Sequence, residues 1–322
     1  MEILTFILYH AWGDRGVAKL LLLFGLLVLC YRKYKSWKIS RRYKSIESKV
    51  ILLTGASSGL GEACARVFHA AGAKLILCSR NTEQLERIQF QLTNEAEVYG
   101  LKNPVGKVVR FPPQVIHLDL EDSKSIPSKA QQAQDIFGHI DVLINNAGIS
   151  SRGTAVETDS TVDRRIMEVN FFGPVMLTKC FLPHMIERGS GHIVAVSSVQ
   201  GKLGMPLRTS YSASKHALQG YCDSLRMELM KYNIQTTVIS PGYINTMLSA
   251  NALTADGSRH QVTDSTTQSG VSPVSVAKKI LEAVVYKRRD VVTCSLSTRV
   301  ALWLHSLCPS VLDTILKKRA GL

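Results

Sequence analysis

The stretch "KVILLTGASSGLG", residues 49–61, decides how the chain is read. Its first half has an unbroken apolar centre, the pattern of a strand buried on both faces of a sheet. Three glycines follow, Gly55, Gly59 and Gly61, and a helical pattern then runs over 60–72. Glycine tolerates positive φ in such a turn, lets backbone N–H groups approach a pyrophosphate, and lets the next helix pack closely. The start of that helix adds the positive end of its dipole. The spacing is G-x-x-x-G-x-G, and such a turn also arises for structural reasons alone. The rest of the chain has to choose between a tight bend and a cofactor site.

The same unit recurs. Further apolar runs read "KLILCSR" (74–80), "QVIHLDL" (114–120), "DVLINNAG" (141–148), "HIVAVSS" (192–198), "TTVISPG" (236–242) and "DVVTCS" (290–295). Helical patterns fill the gaps at 82–95, 123–137, 160–188, 210–232 and 273–286. Strands alternating with helices over some 250 residues predict one α/β domain with a doubly wound parallel sheet and right-handed crossovers. Two connections are long: 96–113, with its prolines and glycines, and 249–272, rich in Ser and Thr. The second has the length of a lid or binding loop, or of plain surface slack. The final 297–322 is amphipathic and ends in basic residues. It packs on the body, caps the site or touches a membrane, and packing is the commonest fate of such a segment.

The second strand ends in "CSRN". An Asp or Glu here would hold both ribose hydroxyls of NAD, and none is present. Arg80, backed by the Ser79 hydroxyl and followed by Asn81, suits a 2′-phosphate, so NADP(H) is the expected cofactor.

Composition frames this body. The chain has 322 residues, 45% hydrophobic and 20% charged, with a formal net charge of +14. Half of that excess lies in residues 32–49, where eight Lys or Arg face Glu47 alone. A nucleic-acid arm has such runs. This one, however, abuts "VAKLLLLFGLLVLCY" (17–31), and a basic cluster flush against an apolar segment suits an anionic membrane face better, so no nucleic-acid partner is expected. The segment offers no small-residue cleavage site and carries its charge on the wrong side for a signal peptide. Residues 1–31 are therefore expected to be an uncleaved anchor, spanning or monotopic, with 32–48 as a basic juxtamembrane linker. The charge imbalance places the body on the cytosolic side. The seven cysteines are scattered, odd in number and without zinc spacing, so neither a disulfide framework nor a metal site is expected. The endoplasmic reticulum is the expected membrane and the peroxisomal membrane the second candidate, although the C-terminal "AGL" lacks the basic middle residue of a peroxisomal tripeptide.

In "TSYSASKHALQG" (209–220), Tyr211 and Lys215 stand at i, i+4 on one helix face. Alone, that is an ordinary surface pair. Taken with "TGASSGLG", "NNAG" (145–148), "SS" (197–198) and "SPG" (240–242), it resembles the short-chain dehydrogenase/reductase family, over about residues 48–295. The N-terminal segment, "CARVFHAAGAKLILCSRN", "VISPGYI" and "LTADGSR" are most similar to a membrane-anchored branch of that family, the B-type members of its member-seven group. The resemblance implies a Rossmann-type catalytic domain over 49–296. Carbonyl reduction needs a proton for the developing alkoxide, and a free tyrosine, with a pKa of about 10, matches neutral-pH chemistry poorly. The Lys215 ammonium beside the phenol is expected to lower that value.

By the same resemblance, Lys215 also holds the nicotinamide ribose, Ser198 polarises and binds the substrate carbonyl, and Asn170 holds a proton-relay water. A buried Asn that satisfies backbone groups is compatible with that last role. Gly55, Ser57, Ser58, Gly59, Leu60 and Gly61 are expected at the phosphates. Asp119 is expected at the adenine, Asn146, Ala147 and Gly148 along the cofactor, and Pro241, Gly242 and Thr246 beside the nicotinamide. Ser197, Asn145 and Ile149 are expected to be scaffold. Arg152, Arg208 and Arg259 read as solvated surface arginines, with contact to a substrate phosphate as the other option. The implied activity is interconversion of a carbonyl and a secondary alcohol on a lipid-like substrate: a steroid, a retinoid, or an acyl- or alkyl-dihydroxyacetone phosphate. The alternative is a membrane-tethered cofactor-binding sensor or scaffold without turnover. A homodimer is implied by analogy.

Overall fold

The computed structural model describes residues 19, 21–31, 44–94, 110–262 and 264–320. The chain divides into two units, Met1–Ser45 with Lys102–Lys107, and Ile46–Leu101 with Val108–Leu322. In the first, residues 21–31 are helical and carry exposed leucines and Phe24 on every side. Among the described residues no helix is long and apolar enough to cross a membrane. The rest of the expected anchor (1–18 and 20), the basic run 32–43 and the connection 95–109 lie outside the described residues.

The second unit is built on seven parallel strands: β1 (Val50–Thr54), β2 (Lys74–Ser79), β3 (Gln114–His117), β4 (Val142–Asn145), β5 (Gly191–Val196), β6 (Ile234–Pro241) and β7 (Asp290–Thr293). Their order across the sheet is β3-β2-β1-β4-β5-β6-β7. Leu52 at the centre of β1 pairs with Ile76 on one side and Leu143 on the other. The helices are α1 (Gly59–Ala70), α2 (Thr82–Asn94), α3 (Ile126–Phe137), α4 (Ser160–Met167), α5 (Gly173–Glu187), α6 (Thr209–Leu229), α7 (Pro273–Val285), α8 (Leu296–Leu307) and α9 (Pro309–Ala320). Alternate strand residues face opposite sides of the sheet. Val50, Leu52, Ile76, Leu143 and Ile193 build one core layer with apolar residues of α3, α5 and α6. On the other side α1 packs against α7. Strand order reverses between β1 and β4, and the crevice beyond their carboxyl ends is where a ligand binds in sheets of this kind.

One expected helix is three elements. Residues 160–188 form α4, a π-helical turn at Glu168–Phe172, and then α5. Pro174 has no N–H to donate, so the regular ladder cannot run through this point, and the wider turn absorbs the break. The consequence is local: Asn170, on the π turn, is completely buried.

Candidate active site

The glycine turn is shaped by close approach. Gly55 has φ of +65°, and a Cβ there would lie 2.8 Å from the Ala147 Cα. A Cβ on Gly61 would lie 2.0 Å from the Gly55 carbonyl oxygen. Helix α1 begins immediately after Ser58, whose side chain makes no capping bond. Its first turn therefore presents N–H groups that have no intrahelical acceptor. Gly55, Ser57, Ser58, Gly59, Leu60 and Gly61 all line one cavity of about 770 Å³.

Thr54, which sequence reasoning passed over, ties this turn to the next strand. Its hydroxyl accepts from the backbone N–H of Asn146 and of Ala147, each at 3.0 Å. The Asn146 amide donates back to the Thr54 carbonyl at 2.9 Å and to that of Gly55 at 3.3 Å. Asn146, Ala147 and Gly148 line the cavity, whereas Asn145 is buried and donates to the Thr178 hydroxyl at 3.0 Å. A threonine ending a β-strand carries no special sequence signal, which is why this clasp emerges only in three dimensions.

At the end of β2, Ser79, Arg80 and Asn81 line the same cavity, as does Asp119 beyond β3. The Ser79 hydroxyl accepts from the Asn81 N–H at 3.1 Å. Arg80 is half exposed and lies 3.9 Å from Glu121, which Arg165 also engages at 3.1 Å. Asp119 accepts from the Glu121 N–H at 3.0 Å. Pro241 at the end of β6, with Gly242 and Thr246 beyond it, also lines the cavity.

Ser198, Tyr211 and Lys215 are all buried, and all border the cavity. The Ser198 hydroxyl caps a short 3-10 turn by accepting from Gln200 N–H at 3.1 Å, and it hydrogen-bonds the Tyr211 phenol. Ser197 also borders the cavity, and its hydroxyl donates to the Lys215 carbonyl at 3.2 Å. Asn170 is a neighbour without lining the wall. Its Oδ1 accepts from Ile149 N–H and its Nδ2 donates to the Ile149 carbonyl, both at 2.8 Å, and Nδ2 also donates to Ser214 at 3.0 Å. A Cβ on Gly148 would lie 3.1 Å from the Asn170 Oδ1 and 3.3 Å from the Lys215 Nζ, so the glycine leaves room for both.

The electrostatics differ from the sequence expectation. Burial raises the Tyr211 pKa above its ordinary value, outweighing the Ser198 hydrogen bond and the charges of Arg152 and Arg208. Lys215 donates to the Val196 carbonyl at 3.0 Å, stands 5.8 Å from the phenol ring centroid, and is brought down to about 8 by its own burial. The charges of Arg152 and Arg208 favour the phenolate here without overcoming burial.

A second correction concerns those arginines. Arg152 and Arg208 are not solvated. Both guanidinium groups converge on the Asp264 carboxylate, at 2.9 and 3.2 Å, and both line the cavity. Arg259 lines it too and is exposed. Asp264 belongs to the 249–272 loop, so the two arginines stitch that loop to the site, and Ser249 of the same loop donates to the carboxylate at 2.9 Å. The C-terminal segment, expected first of all to pack, lines the cavity through Ser297, Thr298, Ala301, Leu312, Ile315 and Leu316.

A dinucleotide fits this arrangement: a phosphate cradle that any side chain would fill, an arginine at the second strand, and a buried Tyr–Lys–Ser group at the far end. The profile of the short chain dehydrogenases matches residues 49–257. The Bos taurus dehydrogenase/reductase SDR family member 7B is 48% identical over 288 residues, covering 89% of this chain and 86% of its own. Its Danio rerio namesake is 46% identical and covers 92% of each chain. Among solved structures, a Burkholderia phymatum short chain dehydrogenase/reductase in complex with NAD superposes with a TM-score of 0.69, 22% identity, and coverage of 83% of this chain and 95% of its own. An alcohol dehydrogenase from Thermococcus sibiricus complexed with 5-hydroxy-NADP gives 0.63, at 23% identity, with 77% and 96% covered.

Proposed function

We propose, because the chain belongs to the short-chain dehydrogenase/reductase family and groups with its member-7B relatives, that it is an NADP(H)-dependent oxidoreductase interconverting a carbonyl and a secondary alcohol on a lipid-like substrate. The observation that carries the reading is the meeting of Ser198, Tyr211 and Lys215 in the cavity that also holds the glycine cradle and Arg80. A nicotinamide cofactor held here would supply the hydride to the substrate carbon in reduction and accept it in oxidation. The Tyr211 phenol gives its proton to the substrate oxygen in reduction and takes it back in oxidation. Its raised pKa keeps the phenol protonated near neutral pH. Ser198 donates a second hydrogen bond to the same oxygen. Lys215 holds positive charge beneath this group and is the residue placed to hold ribose hydroxyls, and Asn170 fixes the Ile149 backbone beside it.

Arg80, with no Asp or Glu at the end of β2, supports NADP(H) over NAD. Leu203, Met205, Leu312 and Leu316 on the cavity wall support an apolar substrate: a steroid, a retinoid, or an acyl- or alkyl-dihydroxyacetone phosphate. The domain reading is an anchor over 1–31, a linker over 32–48, a catalytic domain over 49–296 and an amphipathic segment over 297–322. The apolar, largely exposed helix at 21–31 supports residence on a membrane, for which the endoplasmic reticulum, with the body in the cytosol, is the proposed location. A homodimer is proposed by family analogy. The deciding experiment follows NADPH oxidation by detergent-solubilised full-length protein across a panel of lipid, steroid and retinoid carbonyls. Turnover lost in Tyr211→Phe sustains the reading. NADPH binding with no turnover of any carbonyl would replace it with a tethered cofactor sensor.

A further inference from the structure

The hairpin of α8 and α9 has two dissimilar faces. Inward, it lines the cavity through Ala301, Leu312 and Leu316 among others, and Leu312 is buried. Outward, it is apolar and bare. Leu296, Val300, Trp303 and Leu307 stand at i, i+4, i+7 and i+11 and so form one stripe along α8. Leu296 is 78% exposed, Trp303 72% and Leu307 78%. Val311 continues the exposed apolar surface on α9, and Ile315, half exposed, lies where that surface meets the cavity wall. A contiguous apolar patch of this kind marks an interaction surface.

Charge selects the occupant. The sequence of the hairpin carries Arg299, Lys317, Lys318 and Arg319 against Asp313 alone, so two copies meeting face to face would oppose like charges. An anionic bilayer surface complements them, and tryptophan beside aliphatic residues is the composition that settles at the headgroup level. A helix with this pattern lies in the interface plane with its apolar face shallowly immersed. Met247 and Leu248, which line the same cavity from the 249–272 side, are also exposed, so apolar surface continues around the rim.

We propose that the α8–α9 hairpin docks on an anionic lipid surface, setting the cavity against the membrane so that apolar substrate passes between them. Substrate passage rests on the proposed function, but the docking is read without turnover.

The test uses full-length protein with Trp12→Phe and Trp37→Phe, leaving Trp303 as the sole tryptophan of the three in the chain. It is reconstituted into phosphatidylcholine–phosphatidylserine vesicles with acyl chains brominated near the glycerol end. NADPH binding serves as the check on folding. The expected result is blue-shifted Trp303 emission that bromolipid quenches, with Lys317→Glu combined with Lys318→Glu cutting the quenching by roughly half. Water-like, unquenched emission overturns the proposal. Blue-shifted emission that bromolipid does not quench also overturns it, because protein, such as a second copy, then covers the stripe. If the docking holds and no carbonyl is turned over, only the enzymatic reading fails.

Discussion

Lys215 donates through Nζ to the Val196 carbonyl oxygen at 3.0 Å, which fixes a buried amine 5.8 Å from the centroid of the Tyr211 ring. Burial lowers its pKa from 10.5 to about 8. Carbonyl reduction should therefore fall off with an apparent pKa near 8 as the charge is lost. Lys215→Arg, which stays charged, should move that limb out of range even if the rate drops. Linkage gives a second readout. Between about 8 and 10.5 the unfolded chain binds more protons than the folded one, so wild-type stability should rise with pH through that window. Lys215→Met should flatten the rise in pH-dependent denaturation curves.

Tyr211→Phe removes the proposed proton donor to the substrate oxygen and leaves the ring's packing intact. Turnover should drop by about 10³ or more, the contribution of a positioned general acid. NADPH binding, read by fluorescence titration, should be nearly unchanged. A Tyr211→Phe protein that keeps most of its activity would remove Tyr211 from the mechanism.

The contrast between this phenol and its neighbours marks how far the sequence could be read. Seven apolar runs gave seven parallel strands because buried parallel strands are apolar on both faces, and that pattern is local. The glycine turn and the Tyr–Lys spacing were legible for the same reason. The electrostatics were not. Tyr211 responds to Arg152 and Arg208, and those answer to Asp264, which lies 112 residues beyond Arg152 in the chain. Spacing carries no trace of such a contact. The Thr54 clasp and the cavity-lining hairpin were hidden likewise: the first joins two strands 92 residues apart, and the second depends on where an amphipathic helix comes to rest.

Arg80 and Glu121, 3.9 Å apart, set up a competition at the end of β2. A 2′-phosphate would take Arg80 from the carboxylate and also meet the carboxylate's charge. Arg80→Ala should weaken NADPH by roughly 10- to 100-fold, the worth of a charge-assisted hydrogen bond of about 1.5–3 kcal/mol, and leave NADH alone. Glu121→Gln should tighten NADPH selectively. Ser79→Asp with Arg80→Leu should turn the preference toward NADH. Competitive titration of the two dinucleotides checks all three.

Asn170 satisfies both backbone groups of Ile149 from a completely buried position. Asn170→Ala would leave that N–H and C=O unpartnered, at a cost of about 2–3 kcal/mol. The midpoint of urea unfolding should fall accordingly with an unchanged slope. Asn170→Asp retains an acceptor for the Ile149 N–H but sets a carboxylate against the Ile149 carbonyl, so it should rescue little.

Asp264 accepts from Arg152, Arg208 and Ser249 at once. Burial alone would raise its pKa. The hydrogen bonds from Arg152 and Ser249 and the charges of both arginines instead hold it below the ordinary carboxylate value. This carboxylate does two jobs, because it stitches the 249–272 loop to the cavity wall and offsets the positive field on Tyr211. Asp264→Asn should release both. With the loop loosened, KM for an apolar carbonyl should rise by roughly tenfold, equivalent to about 1.4 kcal/mol. With the arginines no longer offset, the phenol should ionise at lower pH; measured in a Lys215→Arg background, where the lysine no longer sets the alkaline limb, the loss of reductase activity should begin earlier than with Asp264 in place. The pairing of Asp264→Asn with Arg152→Gln separates the two effects. Removing one arginine as well should return the pH profile toward the wild type, since the field on Tyr211 is again reduced, while KM should stay high because the stitch is still broken. Kinetics across pH for the four proteins of that cycle check the argument, and a KM that recovers together with the pH profile would count against the loop's separate role.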